Sequence, residues 1–445
     1  MKRRFTTAMM TTLLLLIFSA TAFSASLNVA LYPDVPRLDQ FRKVIETEWA
    51  KVSPDVPIQW IDWDGGYSDD PKETFDVYVF DASFMDYFYA QGDLLLLPTT
   101  SMQNPEDVLT YASKGVQKGT ELYGLPYMGC TSVLFYHSSD KALTSAKTLT
   151  DVTNAIGKCP FYTQQPPANI GLMPDFSNGS ANAGYYVQSL EMAMGTFPVP
   201  LPFKESDIDP ATIKRLQQVI SASSFQNALY EAPEMYQRAK WFSQGKGRAY
   251  VDYTESLSAI DPAQYDDISF KVMPWADNLD GIAKPLFYSD VVGIHPATKT
   301  RGTTATAIKF AQFISSADIM TKCLGPYNGQ GPQYLMPVRH SVFKALAADF
   351  TMYEKIYTMV KENKPVMLNL GREARKWFNV MEEPMTRLTI ADPECYCDKP
   401  AGPIWNDMDA KRICPQVCAP YNGWNGQWTT QSAGQSVCGC NQPCQ

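Results

Sequence analysis

Between residues 27 and about 390, short apolar runs alternate with amphipathic stretches, and this alternation constrains the fold more than any other feature of the chain. Runs at 27–31, 57–63, 77–80, 123–127, 133–136, 249–253, 268–274 and 286–294 read as strands. Helical spacing is carried by Leu38, Phe41, Val44, Ile45 and Trp49, and recurs over 83–91, 106–116, 181–194, 210–221, 236–242, 304–314 and 342–361. Gly92 marks the stop of one helix and Asp209-Pro210 the start of another. Strands interleaved with helices predict an α/β protein whose sheets are covered on both faces. Some 370 residues exceed one ordinary α/β domain, so the expected architecture is two lobes with a cleft between them. No internal repeat interrupts the pattern.

The two ends of the chain are different in kind. Lys2, Arg3 and Arg4 precede a mostly apolar run from Ala8 to Phe18, and Ala20-Thr21-Ala22 or Ala22-Phe23-Ser24 supplies a cleavage site. Residues 1–22 therefore read as a secretory signal, the run being too short to span a bilayer. The expected location is secreted or periplasmic, with no membrane span. Its removal takes three basic and no acidic residues, moving the net charge from −8 to −11. That balance, without a basic block, argues against nucleic acid as a partner.

Of the 10 cysteines, only Cys130, Cys159 and Cys323 precede residue 395; the other seven are Cys395, Cys397, Cys414, Cys418, Cys438, Cys440 and Cys444. In an exported protein this crowding predicts a disulfide-stapled module. Zinc is the weaker alternative, because the spacings are not those of fingers. With only His137, His295 and His340 in the chain, no histidine metal centre and no cofactor is expected. The domain boundaries are set at 1–22 (signal), 23–393 (two-lobed α/β region) and 394–445 (cysteine-rich module).

No phosphate-binding glycine loop, zinc-protease helix or nucleophile elbow occurs. Polar and aromatic residues gather instead at strand ends, where open α/β sheets bind ligands. Tyr32-Pro33 closes the first strand, Asp64-Gly65-Gly66-Tyr67 follows the second and Asp81 ends the third. Cys130 falls in a turn at 126–132, Thr254-Glu255 follows the 249–253 strand, and Tyr288-Ser289-Asp290 sits beside Val291-Val292. Such tyrosines and carboxylates suit a flat cationic or aromatic ligand. Taken singly each has a plainer role: Asp81 a helix cap, the tyrosines packing, Cys130 a buried inert thiol. Arg372-Glu373-Ala374-Arg375-Lys376 reads as a solvated helix face, Met192 and Met194 as packing, and Asn178-Gly179-Ser180 fits the glycosylation pattern.

In order and spacing, Ala30–Pro36, Tyr67 with the 77–81 strand, Gly129-Cys130-Thr131-Ser132, Tyr253-Thr254-Glu255-Ser256 and Tyr288-Ser289-Asp290 make residues 27–390 resemble thiaminase I, a relative of the periplasmic binding proteins. The resemblance implies a type II binding-protein-like two-lobed fold and a transferase that replaces the thiazole of thiamine with an amine, pyridine or thiol. It implies Cys130 as nucleophile and Glu255 as catalytic acid/base. It places Tyr32, Tyr67, Asp81, Tyr236 and Asp290 around the pyrimidine, with Tyr253 and Tyr288 nearby. A transport-type thiamine- or pyrimidine-binding protein without catalysis is the alternative; it would not require the Cys130–Glu255 pair.

The tail segments Ala401-Gly402-Pro403-Ile404-Trp405-Asn406, Asn425-Gly426-Gln427-Trp428-Thr429 and Val437-Cys438-Gly439-Cys440 resemble a repeat of the mannan-binding lectins, although the plain repeat lacks cysteines. That likeness implies mannose-containing glycan as a partner, with Trp405, Asn406, Asn425, Gly426 and Trp428 as contacts. In the opposing view Trp405 and Trp428 form the small core, and a third reading makes the chain a lectin with a degenerate enzyme region.

Overall fold

A computed structural model describes residues 26–440 except 158–160, 162, 196–199, 278–284, 391–397, 422 and 433. The signal segment and Cys159, Cys395, Cys397 and Cys444 lie outside the described residues, as does the question of how those four cysteines pair.

The first lobe is built on a seven-stranded mixed sheet. Leu27–Ala30, Ile58–Trp60 and Val77–Asp81 run parallel. Leu286–Ile294 is antiparallel to Val77–Asp81 on one side and to Leu125–Cys130 on the other. Met336–Pro337 and Val366–Met367 complete the sheet. The helix Leu38–Val52 buries Phe41, Val44, Ile45 and Trp49, the stripe its spacing predicts. The second lobe has a four-stranded sheet in the order Ile268–Val272, Val133–His137, Gly247–Asp252, Ala168–Met173. It carries the helices Gly179–Met194 and Pro210–Ser221, the latter capped by Asp209, which accepts from Thr212 N at 2.9 Å.

Only Thr131 and Ser132 separate a strand of the first sheet from one of the second. The chain crosses back between the 268–272 and 286–294 strands, and the two crossings are tied together. Thr131 Oγ1 donates to Leu286 O at 2.9 Å, and Met273 N donates to Ser132 O at 2.9 Å. This paired crossing forms the floor between the lobes. The helix Ala374–Ile390 packs against second-lobe helices and also reaches first-lobe residues, so it bridges the same gap.

Several expectations are corrected. The 342–361 helix is two helices, His340–Ala347 and Thr351–Asn363, separated by an extended Phe350. Buried Val342, Phe343 and Leu346 are followed by exposed Asp349 where the helical period calls for an apolar residue, and the stripe restarts at Met352. The 106–116 helix is a 3-10 turn, Pro105–Asp107, and a short helix, Thr110–Gly115. Between them Val108 bridges to Arg339 and Leu109 N donates to Val338 O. Residues 126–132 are not a turn; Cys130 is the last residue of a strand. The 57–63 strand is confined to Ile58–Trp60. Met192 is buried, but Met194, at the helix end, is exposed. Arg375 is no solvated residue: it is 8% exposed and holds three acceptors described below.

The tail has a core of its own, Ile404, Ala410 and four half-cystines, with Trp424 and Trp428 packed against it. Asp398–Gly402, Gln435–Cys440 and Trp424–Ser432 form an antiparallel sheet with Gln435–Cys440 in the middle. Disulfides Cys414–Cys438 and Cys418–Cys440 staple the helix Asp407–Val417 and its C-cap residue to that central strand. A module this small needs such staples, each worth about 3 kcal/mol. Among the described residues no helix is long and apolar enough to cross a membrane.

Candidate active site

A cavity of about 970 Å³ lies between the two lobes, at the upper end of the range for small-molecule sites. Strand register explains how distant residues converge on it. Tyr288 pairs with Cys130, and Asp290 pairs with Asp81. Directly paired residues project from the same sheet face, as do residues two apart on a strand. Cys130, Tyr288, Asp290 and Asp81 therefore share one face. Gly129 is required beside Cys130, because a Cβ there would collide with the hydroxyl of Tyr111.

Tyr32, Tyr67, Asp81, Cys130, Tyr236, Tyr253, Glu255 and Tyr288 all line this cavity. Asp290 is not among the lining residues; it is the strand partner of Asp81. Asp81 caps the following 3-10 turn, accepting from Ser83 N at 2.8 Å, and its other oxygen receives the Tyr67 hydroxyl at 3.4 Å. It thus has both the plain capping role and a place in the cleft. Tyr67 is presented by the Asp64-Gly65-Gly66 turn, where both glycines have positive φ (75° and 101°). Asp64 closes the turn by accepting from Gly66 N at 3.0 Å. A Cβ on Gly65 would lie 2.8 Å from the Tyr32 ring, so the turn and Tyr32 are packed as one unit. Tyr236 holds a positive φ of 58°, uncommon for a tyrosine, at the start of the helix Gln237–Ser243.

Burial dominates the site's electrostatics. It pushes Glu255 up to about 8, helped by Asp252 and Asp34, and leaves Glu255 Oε2 without a hydrogen-bond partner. The Cys130 thiol is held well above its ordinary range by burial and then by Glu255, Asp81, Asp290 and Asp34. Asp290 is raised first by burial and then by Asp81. Burial thus favours the protonated forms of Glu255, Cys130 and Asp290, and a bound cation would favour their ionised forms.

Sequence reasoning missed several lining residues. Asp34 lies within the 30–36 segment and Asp64 heads the group at the end of the second strand, but neither was assigned a role in the site. Asp252, pushed up to about 7 by burial, immediately precedes Tyr253. Phe378 comes from the Ala374–Ile390 helix and packs edge-on against Tyr67, with centroids 6.1 Å apart. One turn earlier, Arg375 donates to Ser68 O at 2.6 Å, to Gly66 O and to Asp70 at 3.1 Å. No local signal in the sequence links that helix to residues 64–70.

In the tail, Trp405 is 72% exposed and contributes nothing to the core, which corrects the view that it does. Asn406 caps the helix Asp407–Val417, its amide oxygen accepting from Met408 N and Asp409 N at 3.0 Å each, so that oxygen is engaged internally. Trp428 donates to Asp407 at 2.9 Å and is half-buried. Gly426 is exposed with φ 91°. The side chain of Asn425 lies outside the described residues.

Two α/β lobes, joined at tied crossings with a cavity between them, define a fold of the periplasmic-binding-protein type. The maltotriose binding protein of Thermus thermophilus shares this fold at 13% identity, with TM-score 0.56 over 82% of this chain and 98% of that one. Thiaminase-1 of Paenibacillus thiaminolyticus is 32% identical over 357 residues, 79% of this chain and 85% of the relative. A Clostridium botulinum thiaminase I solved in complex with thiamin is 32% identical with TM-score 0.77, covering 82% of this chain and 99% of that one. The model of the Thiaminase-1 domain family matches residues 131–276, and that of the Mannan-binding protein family matches 407–440. The chain belongs to the thiaminase I family.

Proposed function

We propose that this protein is an exported thiamine-degrading transferase that cuts thiamine at its methylene bridge by way of a covalent adduct on Cys130. Family membership makes it a thiaminase I enzyme rather than a transport-type binding protein. The observation that carries the finer reading is that a single cleft contains the Cys130 thiol and a buried carboxyl, Glu255, with a free oxygen.

In the proposed sequence Asp81, supported by Asp290, binds the amino and protonated ring nitrogens of the aminopyrimidine. Tyr67 and Tyr288 flank the ring. The ligand's positive charge offsets the surrounding carboxylates and lowers the acidity barrier for both Cys130 and Glu255. Glu255 takes the thiol proton, and the Cys130 thiolate adds to the ring carbon next to the one bearing the methylene. The methylene–nitrogen bond breaks, its electron pair goes to the thiazolium nitrogen, and neutral thiazole leaves. An incoming amine, pyridine or thiol then bonds to the methylene carbon, and the electrons displaced into the ring expel the Cys130 thiolate. Glu255 returns its proton to the thiolate, while a proton lost by an amine or thiol nucleophile passes to solvent.

The test is thiamine consumption with pyridine as co-substrate. Equal release of thiazole and pyridine adduct, abolished in Cys130→Ala, supports this mechanism; binding without turnover in the wild type refutes it. For the tail we propose weak recognition of mannose-containing glycan, centred on exposed Trp405. Domain boundaries near 23 and 394 are part of the same proposal.

A further inference from the structure

The ionisable side chains lining the cleft are mostly acidic. Among the described residues its lining holds eight carboxylates and one cation, Arg238. That guanidinium is buried and already engaged: it donates to Asp175 at 2.7 Å, Asn227 O at 2.8 Å and Tyr230 O at 3.2 Å. Of the eight carboxylates, Asp175 pairs with Arg238, and Glu234 pairs with Lys240 at the rim. Asp34 and Asp64 line the first-lobe wall, and Asp252 and Glu231 belong to the second lobe.

Two helix starts also face the cavity: that of the seven-residue helix Gln237–Ser243, which has no side-chain cap, and that of a longer helix. The 16-residue helix Gly179–Met194 begins there, with Asn178, Ser180 and Ala181 on the lining. Its positive end is already met from within. Asn178 accepts from Ala181 N at 3.2 Å, and the Glu382 carboxylate lies over the first turn. Glu382 accepts from the Ser180 hydroxyl at 3.2 Å and occupies the space that a Cβ on Gly179 would need.

We propose that the cleft selects thiamine as the free alcohol and rejects its phosphate esters. This rests on the reading above, in which the pyrimidine is held at Tyr67 and Asp81. The hydroxyethyl arm of the thiazolium then lies in the same cavity. Esterified, it carries up to three negative charges toward these carboxylates, and among the described residues of the lining the one cation is already engaged. Thiamine itself carries the opposite charge and is drawn in. A hydrolysis of phosphoanhydride or phosphomonoester bonds must therefore precede this enzyme wherever its substrate arrives phosphorylated.

The experiment compares kcat/KM of the full-length enzyme for thiamine, its monophosphate and its diphosphate, with pyridine saturating and no divalent metal, at low and at 0.5 M salt. The expected result is thiamine favoured over the diphosphate by about 100-fold or more, a ratio that shrinks in high salt and in the Asp34→Asn/Glu231→Gln double variant. Esters turned over within threefold of thiamine would overturn the proposal and leave the catalytic reading standing. Strong discrimination unmoved by salt and by the double variant would also overturn it, since the barrier would then be one of shape. No turnover of thiamine itself would remove the catalytic reading and this proposal with it.

Discussion

Glu255 is costly to the fold. A carboxyl whose folded-state value sits near 8 instead of the usual 4.5 keeps a proton that the unfolded chain gives up. Between roughly pH 4.5 and pH 8 the folded state therefore binds more protons, and stability falls as pH rises through that window. Glu255→Gln removes the group that ionises. Its thermal unfolding should match the wild type near pH 5 and exceed it at pH 8.5, by an amount on the order of 3 kcal/mol. The same substitution should lower thiamine turnover about 10²- to 10⁴-fold, as loss of an acid/base residue does. In the wild type, kcat/KM should climb with pH toward a plateau above about 8, because the free enzyme must lose the Glu255 proton before accepting one from Cys130. A flat profile between pH 6 and pH 9 would argue against Glu255 as the base.

At the scale of elements, the Ala374–Ile390 helix supports the site from outside it. Arg375 gathers Gly66 O, Ser68 O and Asp70 and lies over the Tyr87 ring at 5.3 Å. Residues 64–70 present Tyr67, so Arg375 is a positioning residue. Arg375→Ala leaves the buried Gly66 carbonyl without its donor and should cost about 2 kcal/mol. Its kinetic signature should be a KM for thiamine raised about tenfold with kcat changed much less. Arg375→Lys should recover only part of this, because an ammonium cannot reproduce the planar fork. Steady-state kinetics on both variants distinguish positioning from simple destabilisation, which lowers the active fraction without moving KM. The other face of the helix packs on the second lobe, where Asn182 donates to Thr386 at 3.1 Å and Gln217 to Leu388 O at 3.1 Å. The placement of Tyr67 thus depends on both lobes.

For the whole molecule, the two hydrophobic clusters are separate, one running through both lobes and one confined to the tail. Perturbing the tail should leave thiamine chemistry alone. Cys414→Ser with Cys438→Ser deletes one staple of the small module, at about 3 kcal/mol. Thiamine turnover should stay within twofold of the wild type, while retention on immobilised mannose-rich glycan should be lost. Retention will be weak in any case, as expected for one unit acting alone. A parallel fall in thiamine turnover would mean that the tail supports the cleft.

Much of this protein was legible in its sequence because local patterns report burial along a single element. The elements at 210–221, 286–294 and 304–314 lie where apolar period and capping residues put them. The strand-end tyrosines and carboxylates, with Cys130 and Glu255, were also visible, since side chains at strand ends have few places to go except toward a cleft. Tertiary structure alone determined how those residues stand to one another. The pairing of Tyr288 with Cys130 and of Asp81 with Asp290 is a matter of strand register between segments far apart in the chain. Arg375, in a run of charges that locally reads as solvated, is buried because a distant loop folds onto it. The shifts of Glu255 and Cys130 likewise arise from desolvation and from neighbours brought close by folding, and such energies depend on distance in space, which residue order does not contain.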